Sequence, residues 1–409
     1  MKLAVFLNGL GLGGTEKAAC RWACGLQTRG HQVTVLSLAD GPRRADLEQR
    51  HVPLKIVPSR AGDIAAVLRE LAPEVIHAHA ENFLPEALTS LPQKIPVVFT
   101  NVFGRLPAGR APQWINKQLF ISWTSCVQAA RRSWRKLDDD FFRNASVAVY
   151  PLDPAAPAAP ADIAAFRQKI GVSENVILFG RLSRPEPNKW TNLALDAFRL
   201  AGRSNRNLKL LLREPPPLIA AQLRAAPDAG QFVILPATSA AEELRLTLSA
   251  LDVVLHTSSI GESFGYGIAE PMSLGRPVIT HSVPWQDQAQ IELVRHGECG
   301  CIASTPATMA VAMLKLANDR ALRQSLGQQA RQHIRTLAAP ETSLGRLEII
   351  LQAASERRPN PLADGDLARA RETAAYLDTQ QFGHTWREQL ALCPLYYRVR
   401  FHEFRKRFH

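Results

Sequence analysis

The stretch GESFGYGIAEP, residues 261–271, admits two kinds of chemistry. Read as G-x-S-x-G, it raises Ser263 on a tight turn as the nucleophile of a hydrolase. Read as Glu262 and Glu270, it offers two carboxylates, which are poor partners for phosphate but good acceptors for sugar and ribose hydroxyls. The spacing weighs against the nucleophile. A hydrolase elbow needs the strand to run almost directly into the turn, whereas the apolar run DVVLHT ends near Thr257 and SSI intervenes before Gly261. Asp287 and His296 follow in the order that a Ser-Asp-His triad would need, which keeps the hydrolase as an alternative. If Glu262 lies in a loop and a helix starts near Phe264 or Gly265, the N–H groups of Phe264 and Gly265 meet phosphate or sugar. The two glutamates then reach hydroxyls at the two ends of one ligand. That division of labour describes a nucleotide sugar.

Other residues fit the same ligand. The run NVILFG ends in Gly180-Arg181, and Lys189 follows in the proline-stiffened loop RLSRPEPNKW. Two cations at the carboxyl end of a strand suit a diphosphate, with ordinary solvated surface charge as the alternative. Near the start, NGLGLGGTEK carries Gly9, Gly11 and Gly14 in a G-x-G-x-x-G pattern, with Asp40 after the second strand as a possible ribose ligand. That pattern would put Gly13 and Gly14 inside the first turn of a helix, where glycine costs up to about 1 kcal/mol each. A start with Thr15 as N-cap and Glu16 in the first turn leaves the glycines as a loop that presents N–H groups to an anion or simply makes a tight turn.

The elements that position these residues are legible as a rhythm. Short apolar runs (KLAVFLN, QVTVLSL, LKIVP, VIHAHA, VVFTNV) alternate with helical stretches, then PLDPAAPAAPAD reads as a linker, and the alternation restarts with NVILFGRL, LKLLLRE, FVILP, DVVLHT and PVITH. The expected fold class is α/β: two Rossmann-like, doubly wound parallel-sheet domains facing a central cleft. The expected domains are 1–160, 161–340 and a helical extension 341–409. A chain of 409 residues, 46% hydrophobic, is long enough for two cores. Its start reads as a first buried strand rather than a cleaved leader. No run is long and apolar enough to span a bilayer.

The six cysteines show no C-x-x-C spacing and read as reduced thiols. The acidic triplets DDD (138–140) and DGD (364–366) match D-x-D but sit in polar helical surroundings, so they read as solvated charge rather than a metal site. A net charge of +12 points to an anionic partner. The arginines cluster without any RNA-module or zinc-finger signature, which argues against nucleic acid. In the tail, Tyr397, Phe401, Phe404 and Phe408 fall on one helical stripe bordered by Arg398, Arg400, Arg405, Lys406 and Arg407. That pattern suits either an interfacial helix on anionic lipid or an aromatic face docked on the protein.

With GLGGTEKAA, EVIHAHA, GRL plus Lys189, GESFGYGIAEPMSLGRPVI and PWQDQAQIELV in order over most of residues 1–340, the chain resembles the family 4 retaining glycosyltransferases of the GT-B fold. The two-glutamate motif followed by GRPVI is the specific part; the glycine loop is supporting. The resemblance implies a metal-independent donor site in the second domain, no cofactor, and a UDP- or GDP-linked sugar as substrate. Arg181 and Lys189 would bind the diphosphate, Glu270 the ribose and Glu262 the donor sugar, with Gly13 and Gly14 closing over the ligand from the first domain. It also implies a glycan or lipid-linked acceptor and a cytoplasmic, peripherally membrane-associated enzyme of cell-surface polysaccharide or lipopolysaccharide synthesis. Many relatives carry a histidine just after the strand corresponding to VVFT. Here TNVFG supplies Asn101, which hydrogen-bonds but cannot exchange protons as imidazole does. His79, at the end of VIHAHA, is then either a ligand in the cleft or a satisfied structural histidine. A non-transferring nucleotide-sugar-binding protein or an epimerase-like relative is the alternative that the missing histidine keeps open.

Overall fold

Near-continuous apolar runs, rather than alternating ones, mark strands buried on both faces of a parallel sheet, and that is how they fold. The computed structural model describes residues 1–79, 84–107 and 113–405, apart from the side chains of 84, 85 and 402–405. The chain forms two units, Met1–Pro151 with Ala338–Ala374, and Leu152–Leu337 with Ala375–His409. The stretch from 341 onward, read from sequence as one extension, is therefore divided between the two.

Unit 1 holds seven strands: β1 (Lys2–Leu7), β2 (Gln32–Ser37), β3 (Leu54–Ile56), β4 (Val75–Ala78), β5 (Val97–Asn101), β6 (Lys117–Phe120) and β7 (Ala145–Val147). They pair in the order β3-β2-β1-β4-β5-β6-β7, every pair parallel. Unit 2 repeats the plan with β8 (Ile177–Leu182), β9 (Leu208–Arg213), β10 (Phe232–Leu235), β11 (Val253–Leu255), β13 (Val278–Thr280) and β15 (Gly300–Ile302). Their order is β10-β9-β8-β11-β13-β15, again all parallel. The short strands β12 (Gly261–Glu262) and β14 (Asp287–Gln288) form a separate parallel pair. Both six-strand cores carry the doubly wound order 3-2-1-4-5-6, in which the strand order reverses beside the first strand. Two doubly wound, all-parallel α/β units, as expected from the sequence, are observed.

Three local readings change. The first helix runs Gly14–Thr28 with Gly13, not Thr15, as N-cap. Gly13 is extended (φ −65°, ψ 163°), and a Cβ there would collide with the Glu16 carboxylate, which folds back over it from the first turn. The proline-rich linker ends earlier than expected, because Pro160 opens the helix Pro160–Lys169, where a missing N–H costs nothing. Finally, the acidic triplets serve the fold. Asp138 caps the helix Asp139–Arg143 by accepting from Phe141 N at 3.0 Å. Asp366, expected in solvent, is fully buried.

Asp366 and its neighbours explain why residues 338–374 belong to unit 1. Its carboxylate accepts from Ser146 Oγ of β7 at 2.6 Å, from Asn360 Nδ2 at 3.3 Å and from the Arg346 guanidinium. Nearby, Trp22 Nε1 donates to Ser343 Oγ at 2.9 Å, and Ser343 in turn donates to the Val149 carbonyl. A buried carboxylate is tolerated only when paired and hydrogen-bonded, so removing it should be expensive. Asp366→Ala is expected to lower stability by about 3 kcal/mol, read as a lower urea midpoint at unchanged slope. A midpoint equal to the parent's would mean that residues 338–374 are held by apolar packing alone.

Candidate functional site

In unit 2 the carboxyl ends of β8 and β11 lie on either side of the point where the strand order reverses, which is where doubly wound sheets leave a crevice for ligands. Arg181, near the end of β8, is only 2% exposed. Its guanidinium donates to the carbonyls of Lys189 and Thr257 and lies 4.7 Å above the Trp190 ring. It thus braces the turn Pro187–Lys189 against the segment after β11. Ser259 reinforces the brace, with its N and Oγ both on the Asn188 carbonyl at 3.0 and 2.9 Å. Burial pushes the Arg181 pKa down to about 9, with Glu262 opposing the shift.

That brace delivers Lys189 to Glu262. Lys189 Nζ donates to Glu262 Oε1 at 2.7 Å, and His256 Nε2 contacts the same oxygen at 3.0 Å. Burial raises the Glu262 pKa, but the hydrogen bond from His256 and the Lys189 charge outweigh it and hold the carboxylate at about 2. Burial lowers the His256 pKa against the hydrogen bond and charge of Glu262, which raise it, and Arg181 and Lys189 add to the lowering. The arrangement is therefore an ionised glutamate between an ammonium and a neutral imidazole that donates from Nε2. His256 was not singled out from the sequence. Its signal was a lone histidine directly after an apolar strand, six positions before the first glutamate of the motif.

The glycines of G-x-S-x-G have a backbone reason. Gly261 and Gly265 have φ of +63° and +99°, a region that side chains disfavour. A Cβ on Gly261 would also overlap the Asp287 carbonyl oxygen across the β12–β14 pair. Glu262 consequently lies in a short strand rather than a loop, its N–H donating to Gln290 Oε1 at 3.0 Å. The helix Tyr266–Ser273 follows with Gly265 as N-cap. Phe264 is buried with its ring edge-on to Tyr266 at 4.9 Å, and Glu270 sits half-buried in the second helical turn. Ser263 donates to Asp287 Oδ2 at 2.6 Å, while His296 accepts from Ile302 N and stacks on His384 at 3.7 Å. The hydrolase triad is not assembled: the serine faces a carboxylate, and the histidine is committed elsewhere.

Unit 1 collects its candidates at the same edge of its own sheet. Gly13 and Gly14 form the helix start after β1, and His79 and Asn101 end β4 and β5. His79 is 8% exposed, packs on His77 and Trp22, and neither ring nitrogen has a hydrogen-bond partner among the described residues. Burial, and then the neighbouring His77, hold it well below the ordinary histidine pKa. Asn101 instead closes its own loop, donating Nδ2–H to the Arg105 carbonyl at 2.6 Å and accepting from Arg105 N at 3.3 Å. Asp40, the possible ribose ligand, is paired with Arg44 and caps Gly41 N. Among the described residues no cluster of three His, Cys, Asp or Glu side chains could hold a metal ion.

Comparison with known proteins agrees with this layout. Residues 12–136 match the family model "Glycosyltransferase Family 4", and residues 173–319 match "Glycosyl transferases group 1". No curated protein matches the chain. Among solved structures, HepE from Anabaena in complex with UDP is similar with a TM-score of 0.73 at 19% identity, covering 86% of this chain and 100% of that one. A glycosyltransferase from Rickettsia africae gives 0.71 at 15% identity, covering 86% and 98%. WaaG, a glycosyltransferase involved in lipopolysaccharide biosynthesis, gives 0.61 at 16% identity, covering 84% and 98%. The two family matches together span well over half of the sequence, each on one of the two doubly wound sheets, and the chain belongs to the GT-B glycosyltransferases.

Proposed function

We propose that the protein is a retaining, metal-independent glycosyltransferase that moves a sugar from a nucleoside diphosphate sugar to a glycan or lipid-linked acceptor in cell-surface polysaccharide or lipopolysaccharide synthesis. The observation that carries the reading is the Lys189–Glu262–His256 constellation braced by Arg181 at the carboxyl ends of β8 and β11. Lys189 takes the diphosphate, Glu262 a hydroxyl of the donor sugar and Glu270 the ribose. The turn at Phe264 and Gly265, which leads into the helix Tyr266–Ser273, adds backbone donors. Without ligand, Lys189 and Glu262 satisfy each other. An arriving diphosphate competes for the ammonium and frees one carboxylate oxygen for the sugar, so charge compensation and sugar recognition are coupled.

Departure of the nucleoside diphosphate builds negative charge, which fixed cations and a helix N-terminus stabilise without reorganising. Arg181 contributes through its field and its brace, since part of its guanidinium is spent on two carbonyls. Within unit 1, Gly13 and Gly14 offer N–H groups to an anionic ligand, and His79, neutral and unsatisfied among the described residues, takes a ligand hydroxyl. Asn101 supports this edge by fixing its loop. UDP is the favoured nucleotide, because the similar protein HepE is seen with UDP and UDP-glucose; the similarity to WaaG supports the lipopolysaccharide setting.

The tail helix Trp386–Arg405 supports a peripheral membrane role. Leu392 and Glu388 face inward, whereas Trp386, Leu390, Tyr397 and Phe401 are between 64% and 65% exposed and share one stripe. The exposed side of that helix is apolar and aromatic with arginines beside it, which favours lipid over docking on the protein. Lys406, Arg407 and Phe408, and the side chains of Phe404 and Arg405, lie outside the described residues. Among the described residues no helix is long and apolar enough to cross a membrane.

Three outcomes are expected. UDP at about 100 times its dissociation constant should add about 2.7 kcal/mol, visible as a higher Tm with or without magnesium, and GDP and ADP should shift it less. No shift with any nucleotide would leave the donor site without support. Slow hydrolysis of the UDP-sugar should fall by about 100-fold or more in Glu262→Ala, and the anomeric configuration of the released sugar, followed by proton NMR, should match the donor's. UDP binding without hydrolysis in the parent chain would identify a non-transferring binder instead. Deleting residues 395–409 should abolish co-sedimentation with vesicles containing phosphatidylglycerol; undiminished binding would remove the tail as anchor.

A further inference from the structure

Unit 1 has a cavity of about 450 Å³ at the amino ends of β5, β6 and β7. In an all-parallel sheet this is the edge opposite the one that carries Gly13, His79 and Asn101. Five cationic side chains line it: Lys94, Lys117, Arg143, Arg357 and Arg358. Among the described residues no carboxylate does. Among the described residues only Arg358 has an ionic partner, Glu356, while Lys94, Arg143 and Arg357 have none. Protein surfaces ordinarily intersperse charges of both signs, and like charges gathered round one concavity repel unless an anion joins them.

The local structure holds these groups in place despite the repulsion. Lys117 is only 4% exposed, and its Nζ donates to the Arg143 carbonyl at 3.0 Å and to Asn144 Oδ1 at 2.8 Å, both neutral acceptors. An ammonium has three donors, so one N–H remains beyond these two bonds. Burial pushes its pKa down to about 8, which leaves it charged at neutral pH with no counter-charge beside it. Arg357 sits at φ +56°, a conformation uncommon outside glycine, and donates to the Lys94 carbonyl at 3.4 Å. Asn116 Oδ1 accepts from Val97 N, which leaves the Asn116 NH₂ as a donor, and Trp114 supplies an aromatic wall.

The lining is thus rich in donors and positive charge. Its complement is a ligand with several acceptor oxygens and at least two negative charges, and the volume exceeds that of a bare phosphate while falling within the range of small-ligand pockets. We propose that this cavity binds an organic phosphate, a mono- or diphosphate ester, through Lys117, Arg143 and Arg357, at a site separate from the donor site of unit 2. The same chemistry is offered by a soluble phosphate ester and by a phospholipid headgroup.

The full-length chain, titrated calorimetrically with inorganic pyrophosphate, tests the site. The variants are Arg143→Ala/Arg357→Ala and, for the donor site, Lys189→Ala. The double variant is expected to lose at least tenfold in pyrophosphate affinity with UDP affinity unchanged, and Lys189→Ala to lose UDP affinity while keeping a pyrophosphate site. Both arginines are exposed and mutually repelling, so the double variant should melt no lower than the parent. Pyrophosphate affinity equal to the parent's in the double variant, or no binding by the parent, would overturn the proposal whether or not UDP binds. The source is separated by a second arm with glycerol 3-phosphate in solution and phosphatidic acid in phosphatidylcholine vesicles. Arginine-dependent binding confined to the vesicles assigns the site to a headgroup, and arginine-dependent binding of glycerol 3-phosphate assigns it to a soluble ester. Binding of neither in an arginine-dependent way would exclude an ester as ligand.

Discussion

In a sheet whose strands all run the same way, every carboxyl end falls on one edge, and no element inside the sheet can reverse that polarity. Both units obey this constraint, and the chemistry-bearing residues follow from it. Arg181, His256 and the turn holding Lys189 emerge from β8 and β11; Gly13, His79 and Asn101 emerge from β1, β4 and β5. Each set straddles the position where the strand order reverses, so helices on opposite faces diverge there and leave room for a ligand. The opposite edge is equally determined. There the incoming loops bring Lys117, Arg143 and Arg357 together at the starts of β5, β6 and β7.

Within unit 2, geometry depends on a charge that does not point wholly at a ligand. Arg181 spends donors on the backbones of two loops, and Trp190 covers its face. A guanidinium suits this because its planar fork meets two carbonyls at once and stays charged even when burial disfavours it. The brace fixes Lys189 beside Glu262, and β12 fixes Glu262 against β14. The glutamate is therefore held from two sides before any ligand arrives, and its ionised state is set by neighbours rather than by solvent.

The alternating rhythm of apolar runs and helices made the two-sheet architecture legible, because buried parallel strands announce themselves by composition alone. Glu262, Lys189 and Arg181 were legible as neighbours, since the ends of two strands of one parallel sheet fall on the same edge, and the structure brings the three together. Three things were hidden. His256 was hidden because a buried histidine carries no sequence mark distinguishing a packed ring from one that touches a carboxylate. The real start of the first helix was hidden because the fold-back of Glu16 over Gly13 is a side-chain event that propensities do not encode. The role of Asp366 was hidden because its partners Ser146 and Arg346 come from remote segments, and a carboxylate in a polar run looks solvated until tertiary structure encloses it.

The return of residues 338–374 to unit 1 gives the chain a particular order of completion. A growing polypeptide presents β1 to β7 first, yet Ser343, which links Trp22 to the Val149 carbonyl, and Asp366, which ties down β7, are made only after the whole sheet of unit 2 has been synthesised. The first sheet must therefore wait, incompletely covered, through the synthesis of the second. Unit 1 is closed only by residues encoded after its partner, so a ribosome that stops between 151 and 337 releases a unit 1 lacking its own last layer.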